Sequence, residues 1–515
     1  MHASHIASSD IHAFLTSELF ADIQMAELFS DSKLFADATL KAPFSDINSA
    51  YQAEKLSETF DLAQFILRFF TLPAPLIDAL NTDYDAPPHL LSHIQTMWQQ
   101  LRRSPDKNEA NSLLPLPNAY LVPGGRFREI YYWDSYFSAL GLAQDGHESL
   151  VLSMTKNFLH LQNSQLCIPN GNRLYYVSRS QPPVLALMVS LICENKWTND
   201  DHTFLEQALP MLEKEHAFWM RGESTLKSGA ATSEKRVVKM PDGSILNRYW
   251  DELATPRPES YEEDIALAAG KTPADAAAFY RHIRAACESG WDFSTRWLTS
   301  PDALDSINTT NIVPIDLNCL LWNLENTLHK LYTGKDSIKA NHFKTRADNR
   351  ADAINRFCWN SQSAFYFDYN IQTHTQSTVA SLAATLPLFF KLASRAQAKS
   401  VLATLKRDFL ETGGLVTTTQ LSHQQWDSPN GWAPLQWFAV IGAEQYDDRS
   451  FAKEVMSRWV HTVDAFFQQH HTIMEKYNVV TPDIAASGGE YEVQSGFGWT
   501  NGVTRMFIAK LQDYE

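Results

Sequence analysis

The sequence holds only five cysteines in 515 residues, and no two of them stand as a CxxC pair. An odd count without paired spacing gives no disulfide framework. Cys167, Cys193, Cys287, Cys319 and Cys358 are therefore expected as reduced, buried thiols. Basic charge is short as well: 43 Lys+Arg face 59 Asp+Glu, a formal charge of −16. A surface of that sign repels polyanions, so nucleic acid and anionic membranes are excluded as partners. Long apolar runs are missing. The longest, Val184–Cys193, is about half of what a membrane span requires and has Ser190 inside it. The N-terminal stretch has no Lys or Arg before Lys33 and carries Asp10, Glu18 and Asp22. It thus lacks the basic start and clean apolar core of a secretory leader, and the expectation is a cytoplasmic protein. There is no GxxxxGK[ST], no HExxH, no GxSxG and no Cys/His group of zinc spacing. The segment GFGWTNG at 496–502 lacks GxGxxG spacing and a preceding strand, so it is not read as a dinucleotide loop. No metal site is expected, and no cofactor.

What is abundant is aromatic: 14 Trp, 18 Tyr and 29 Phe. The dominant hydrophobic period is helical. Leu317, Leu320, Leu321, Leu324, Leu328 and Leu331 recur at steps of three and four, as do Val455, Met456, Trp459, Val460, Val463, Phe466 and Phe467. Val401, Leu402, Leu405, Phe409 and Leu410 repeat the pattern. Val379–Leu392 is apolar almost all round and predicts a buried helix. Strand-like alternation is confined to short pieces such as Ala364–Tyr369 and Leu415–Thr419. No Pro/Ser linker divides the chain. The expected organisation is an N-terminal arm over residues 1–45 and one α-helical domain over 46–515.

Four loops combine turn residues with Trp, Tyr, Arg and carboxylates: PGGRFR at 123–128, IPNGNR at 168–173, QQWDSPNGWAP at 424–434 and SGGEYEVQSGFGWTNG at 487–502. Solvent loops have no need of such side chains. Aromatic faces cover the C–H face of a sugar, while Arg, Asn, Gln and carboxylates bind its hydroxyls. Cleaving a glycosidic bond needs two carboxyl groups, one kept protonated by an apolar setting. Asp292 in ESGWDFSTRW, Asp134 in YYWDSYF and Asp427 in QWDSP all have such settings. Composition does not choose among them, and each is equally read as a buried structural Asp. For the second carboxylate, the Gly-rich aromatic loop points to Glu490.

PGGRFREIYYWDSYF at 123–137 and QWDSPNGWAP at 425–434 resemble the two signature segments of the trehalases of glycoside hydrolase family 37. IPNGNRLYYVSRSQPP, NRYWDELATPRPES, ESGWDFSTRW, IVPIDLN, EKYNV and GGEYEVQSGFGWTNGV match in the same order, so the likeness covers nearly the whole chain from about residue 28. The resemblance implies an all-α (α/α)6 toroid that hydrolyses α,α-trehalose to two glucose molecules with inversion. It implies Asp292 as general acid, Glu475 of the EKY motif as general base, and Glu490 as a substrate-binding carboxylate. Carried over as further sugar-binding positions are Arg126, Trp133, Asp134, Asn170, Arg179, Ser180, Gln181, Arg257, Pro258, Glu259 and Gly290. The run before Glu490 is AASGG, where many relatives have a longer glycine tract, and the loop reads as a lid. The only partner expected is the sugar itself, bound by a monomer. The competing readings are another inverting (α/α)6 glycosidase, a catalytically silent sugar sensor, and a protein-binding scaffold.

Overall fold

The computed structural model of the chain describes residues 8–73, 89–198, 200–228 and 232–514. Twelve helices build its body: α1 (Leu90–Leu101), α2 (Tyr132–Gln144), α3 (Glu148–Ser164), α4 (Leu185–Asn195), α5 (Asp201–Trp219), α6 (Ile315–Tyr332), α7 (Ser337–Phe357), α8 (Leu386–Phe389), α9 (Arg395–Thr404), α10 (Ala433–Gln445), α11 (Arg449–His470) and α12 (Gly498–Gln512). The even-numbered helices touch in succession, α2 to α4, α6, α8, α10 and α12, and α12 packs back onto α2. They form a closed inner ring, and the odd-numbered helices lie outside it. This is the (α/α)6 toroid expected from the sequence.

Burial explains which helix goes where. Within α10, Leu435, Trp437, Phe438, Val440 and Ala443 are all buried, and so are Ala433, Gln436 and Gly442. A helix apolar on every side belongs in the middle of a protein. The outer α7 carries only scattered buried positions, such as Ala340, Phe343, Ala347 and Ile354, among charged ones. Ring closure requires two glycines. A Cβ on Gly502 would lie 2.1 Å from the Phe137 carbonyl oxygen, and one on Gly141 would lie 2.6 Å from the Gly502 Cα. Only bare backbone lets α12 come this near to α2.

The Leu317–Leu331 and Val455–Phe467 periodicities lie on α6 and α11, as predicted. Val379–Leu392 is helical only from Leu382 to Phe389, because Ser381 instead bridges to Thr418 and Pro387 opens α8 near its N-terminus. The two strand-like pieces contribute Phe365–Tyr366, Tyr369–Asn370 and Gly414–Leu415 to small antiparallel pairs. Among the described residues no helix is long and apolar enough to cross a membrane. No disulfide joins any of the five cysteines, four of which are buried.

Residues 11–70 have an apolar cluster of their own, centred on Phe14, Phe20, Phe35 and Phe70, and it runs continuously across residue 45. The cluster takes in Tyr131, Tyr175 and Tyr176 from the rim of the toroid. A buried quartet of charges closes the junction. Lys33 Nζ stands 2.6 Å from Asp37 and 2.8 Å from Glu129, and Arg173 pairs with the same two carboxylates at 3.3 and 3.0 Å.

The connections are unequal. Those from an inner to the next outer helix are short, such as 145–147, 333–336 and 446–448. Those from an outer to the next inner helix are long: 102–131, 165–184, 220–314, 358–385, 405–432 and 471–497. The long ones gather at one rim, where the inner helices begin.

Candidate active site

A cavity opens at that rim. Its walls come from five of the six long connections, from the first turns of α2 and α12, and from Lys33 of the N-terminal segment. Of the residues expected at the site, Asp292, Glu475, Glu490, Arg126, Trp133, Asp134, Asn170, Arg179, Gln181, Arg257, Glu259 and Gly290 all line it. Ser180 and Pro258 do not. Ser180 Oγ donates to the Ile168 carbonyl at 2.7 Å, its N–H donates to Glu288 at 2.8 Å, and the Pro258 carbonyl accepts from Gln24 at 3.2 Å. Both hold wall backbone in place.

Asp292 follows the helix Pro273–Ser289, which ends at Gly290 with φ +75°. A Cβ there would meet the Trp133 ring at 2.8 Å, so glycine is needed both for the turn and for the approach of the indole. The Asp292 carbonyl accepts from the Gln425 side chain, and the Phe293 carbonyl accepts from the Trp426 N–H at 3.0 Å. Tryptophans floor the site: Trp426 stacks on Trp432 at 4.0 Å and on Trp291 at 5.4 Å, with Trp133 and Trp499 edge-on or tilted against them. Burial in this shell, reinforced by the Glu490 charge and opposed by Arg257 and Arg179, pushes the Asp292 pKa up to about 7.

Glu475 enters from the other side. Its residue precedes the strand Lys476–Asn478, which pairs antiparallel with Asn430–Trp432 in the register Trp432↔Lys476. Its carbonyl accepts from Trp499 Nε1 at 3.0 Å, and its N–H donates to the Gln494 carbonyl at 2.9 Å. The side chain is 1% exposed. Tyr491 OH reaches Oε2 at 3.5 Å, and no hydrogen-bond donor among the described residues meets Oε1. Burial raises this carboxyl to about 7 against the charges of Lys476 and Arg126.

Glu490 is placed quite differently. Arg257 grips both its oxygens, Nη2 to Oε1 at 2.9 Å and Nη1 to Oε2 at 3.1 Å, while holding Asp264 at 2.6 Å. Both of its oxygens are therefore engaged by charge-assisted hydrogen bonds. Arg179 donates to Glu259 at 2.6 Å and to Asn170 Oδ1 at 2.9 Å, Arg126 donates to Asp31 at 2.6 Å, and Gln181 Oε1 accepts the Trp133 N–H at 2.9 Å. Asp134 sits 6% exposed in the first turn of α2. Burial pushes its pKa well above the usual range, and the charges of Asp292 and Glu475 push the same way.

Asp427, the third aspartate of the sequence reading, lies outside the cavity lining. Ser294 Oγ, the N–H and Oγ1 of Thr295, Thr418 Oγ1 and Ser422 Oγ all donate to it, at 2.6–3.0 Å. It ties two long connections together. Sequence reasoning missed Lys33, Tyr131, Tyr176, Trp426, Trp432, Tyr491 and Trp499 as wall residues. The tryptophans and Tyr491 lie in the aromatic loops singled out above, whereas Lys33 carries no local signal.

The model of the trehalase family matches residues 27–512. The chain belongs to the trehalase family. The periplasmic trehalase of Shigella flexneri serotype 5b is 43% identical over 495 residues, 95% of this chain and 86% of that one. The periplasmic trehalase of Escherichia coli K12 is similar to the same extent. Among solved structures, the neutral trehalase of Saccharomyces cerevisiae superposes with a TM-score of 0.63 at 25% identity, over 77% of this chain and 74% of its own. A mannosylglycerate hydrolase of Thermus thermophilus, in complex with glucose, shares the fold at a TM-score of 0.55 and 15% identity, over 82% and 99% of the two chains. The periplasmic names of these trehalase-family relatives overturn the cytoplasmic location expected from the N-terminus. That expectation rested on the lack of a recognisable leader and of disulfides, and neither absence fixes a compartment.

Proposed function

We propose that the protein is an inverting α,α-trehalase that acts as a monomer in the periplasm. Asp292 is the general acid and gives its proton to the bridging oxygen as the glycosidic bond breaks. Glu475 is the general base and takes a proton from a water on the opposite face of the attacked anomeric carbon. The observation that carries the assignment is the contrast between the two glutamates. Glu475 Oε1 is buried in the cavity with no hydrogen-bond donor on it, whereas both oxygens of Glu490 are taken by Arg257. Glu490 is thus a substrate-binding carboxylate held in place by its arginine. Arg126, Arg179, Asn170, Gln181 and Glu259 offer donors and acceptors for sugar hydroxyls. Trp133, Trp426 and Trp432 offer apolar faces.

The acid has to be protonated while the base is ionised, and both titrate near pH 7, so kcat/KM follows a bell around neutrality. The test is proton NMR of trehalose with the purified protein, read before mutarotation mixes the anomers. Equal initial α- and β-glucose is expected. Release of α-glucose alone would mean retention and would reassign both carboxyls, and an absence of glucose from folded protein would favour a sugar sensor. Light scattering on the eluting protein checks the monomer.

A further inference from the structure

Beside Glu475, in the same EKY motif, lies a lysine to which no role has been given and which does not line the cavity. Lys476 is fully buried, and its ammonium has three partners, drawn from the 405–432 and 471–497 connections. Nζ donates to Gln425 Oε1 at 2.7 Å and to the Gly488 carbonyl at 2.9 Å, and it stands 3.7 Å from Glu475 Oε1. Each partner is consequential. Gln425 turns its amide nitrogen onto the Asp292 carbonyl. Gly488, at φ +84°, opens the loop that carries Glu490 and Tyr491 over the cavity. Oε1 is the Glu475 oxygen without a hydrogen bond. At 3.7 Å the ammonium attracts that oxygen without occupying its lone pair, which leaves it open to a water. The face of Trp432 packs near the same nitrogen, with its centroid 5.2 Å away.

We infer that Lys476 is a positioning residue of the reaction, whose charge keeps Glu475 ionised and whose hydrogen bonds set the base, the backbone of the acid and the covering loop in one register. The inference rests on Glu475 being the base. The charged and titratable groups facing Glu475 are Lys476, Arg126, Tyr491 and Asp134, and the charge on Lys476 is also felt by Asp292. Arg126 is tied to Asp31 at 2.6 Å, so Lys476 is the cation beside Glu475 whose counter-charge is Glu475 itself.

The experiment compares pH profiles of kcat/KM for trehalose in the wild type, Lys476→Met and Lys476→Arg. Neutralising the lysine removes a charge that favours the ionised carboxylate, so the Glu475 pKa rises. The low-pH limb should move up by about one unit in Lys476→Met, a further tenfold loss on that limb. The limb should return toward the wild-type position in Lys476→Arg, with kcat lowered more than KM is raised, because the guanidinium does not reproduce both hydrogen bonds. A uniform loss at every pH, or an unmoved limb, would overturn the inference. If Lys476→Met does not fold, Lys476→Gln gives the same readout. Failure of both neutral variants to fold while Lys476→Arg folds would assign the ammonium to stability and overturn the inference too. An inactive wild type would instead refute the proposed function.

Discussion

Replacing Asp292 by Asn should abolish turnover and make the protein more stable, by an amount that grows with pH. The wild-type carboxyl has an ordinary unfolded pKa near 3.9. In the folded protein it titrates near 7, because its tryptophan shell and the Glu490 charge disfavour the anion. The folded pKa is the higher one, so the unfolded chain ionises first as pH rises. Wild-type stability therefore falls between about pH 4 and about pH 7 and is level above that. Three pKa units correspond to about 4 kcal/mol. Asp292 is partly open to the cavity, and water there screens its charge, so the difference expected at pH 8 is about 2–4 kcal/mol. Asn carries no charge and escapes the loss. Unfolding entropy for a chain of this size is roughly 1 kcal/mol per degree, so Tm of the variant should exceed that of the wild type by about 2–4 °C at pH 8. The excess should be smaller at pH 5. Turnover should fall by about 10²–10⁴. Calorimetry of both proteins at pH 5 and pH 8, with glucose release alongside, decides the matter. A Tm difference that is the same at both pH values would refute the reasoning, and so would a variant less stable than the wild type at pH 8.

The same electrostatics predict a shift in the other limb of the profile. In Glu490→Gln the charge that raises Asp292 is removed and Arg257 is released toward it, so the high-pH limb of kcat/KM should move down. Titrating activity between pH 6 and pH 9 checks this, and an upward move would contradict it. Closure of the ring predicts that Gly502→Ala costs about 3 kcal/mol or more, since the new methyl group meets the backbone of Phe137 and cannot be relieved by a rotamer change. Urea unfolding of that variant is the measurement, and a change within 0.5 kcal/mol (about the scatter of surface substitutions) would mean the helices part easily.

Much of this was legible in the chain because the relevant signal is local. The leucines of α6 and the apolar band of α11 announce their helices through spacing alone. Twelve of the fourteen expected site residues line one cavity. Arg126, Asn170 and Glu490 lie in the aromatic loops that looked unlike solvent loops, and Asp134 and Asp292 in the aromatic settings picked out beside them, whereas the rest were legible only through the family motifs. What was not legible depends on distant partners. Asp427 and Asp292 both follow a tryptophan and look alike in sequence. They part because Ser294, Thr295, Thr418 and Ser422 fill the oxygens of one and not of the other. The residues around Glu490 made it the more attractive base, and an arginine 233 positions earlier removes it from that role in the proposed mechanism. Lys33 reaches the cavity from the N-terminal cluster, a placement that no pattern near residue 33 foretells.

The inequality of the two rims has a practical side. At the rim away from the cavity, the turn 333–336 joins α6 to α7, and its central residues are exposed. Gly334 there has a positive φ and no neighbouring atoms within reach of an added Cβ. A linker, dye or resin attached at this turn would leave the mouth of the cavity facing outward, so the molecule is built to be held by one end and to work at the other.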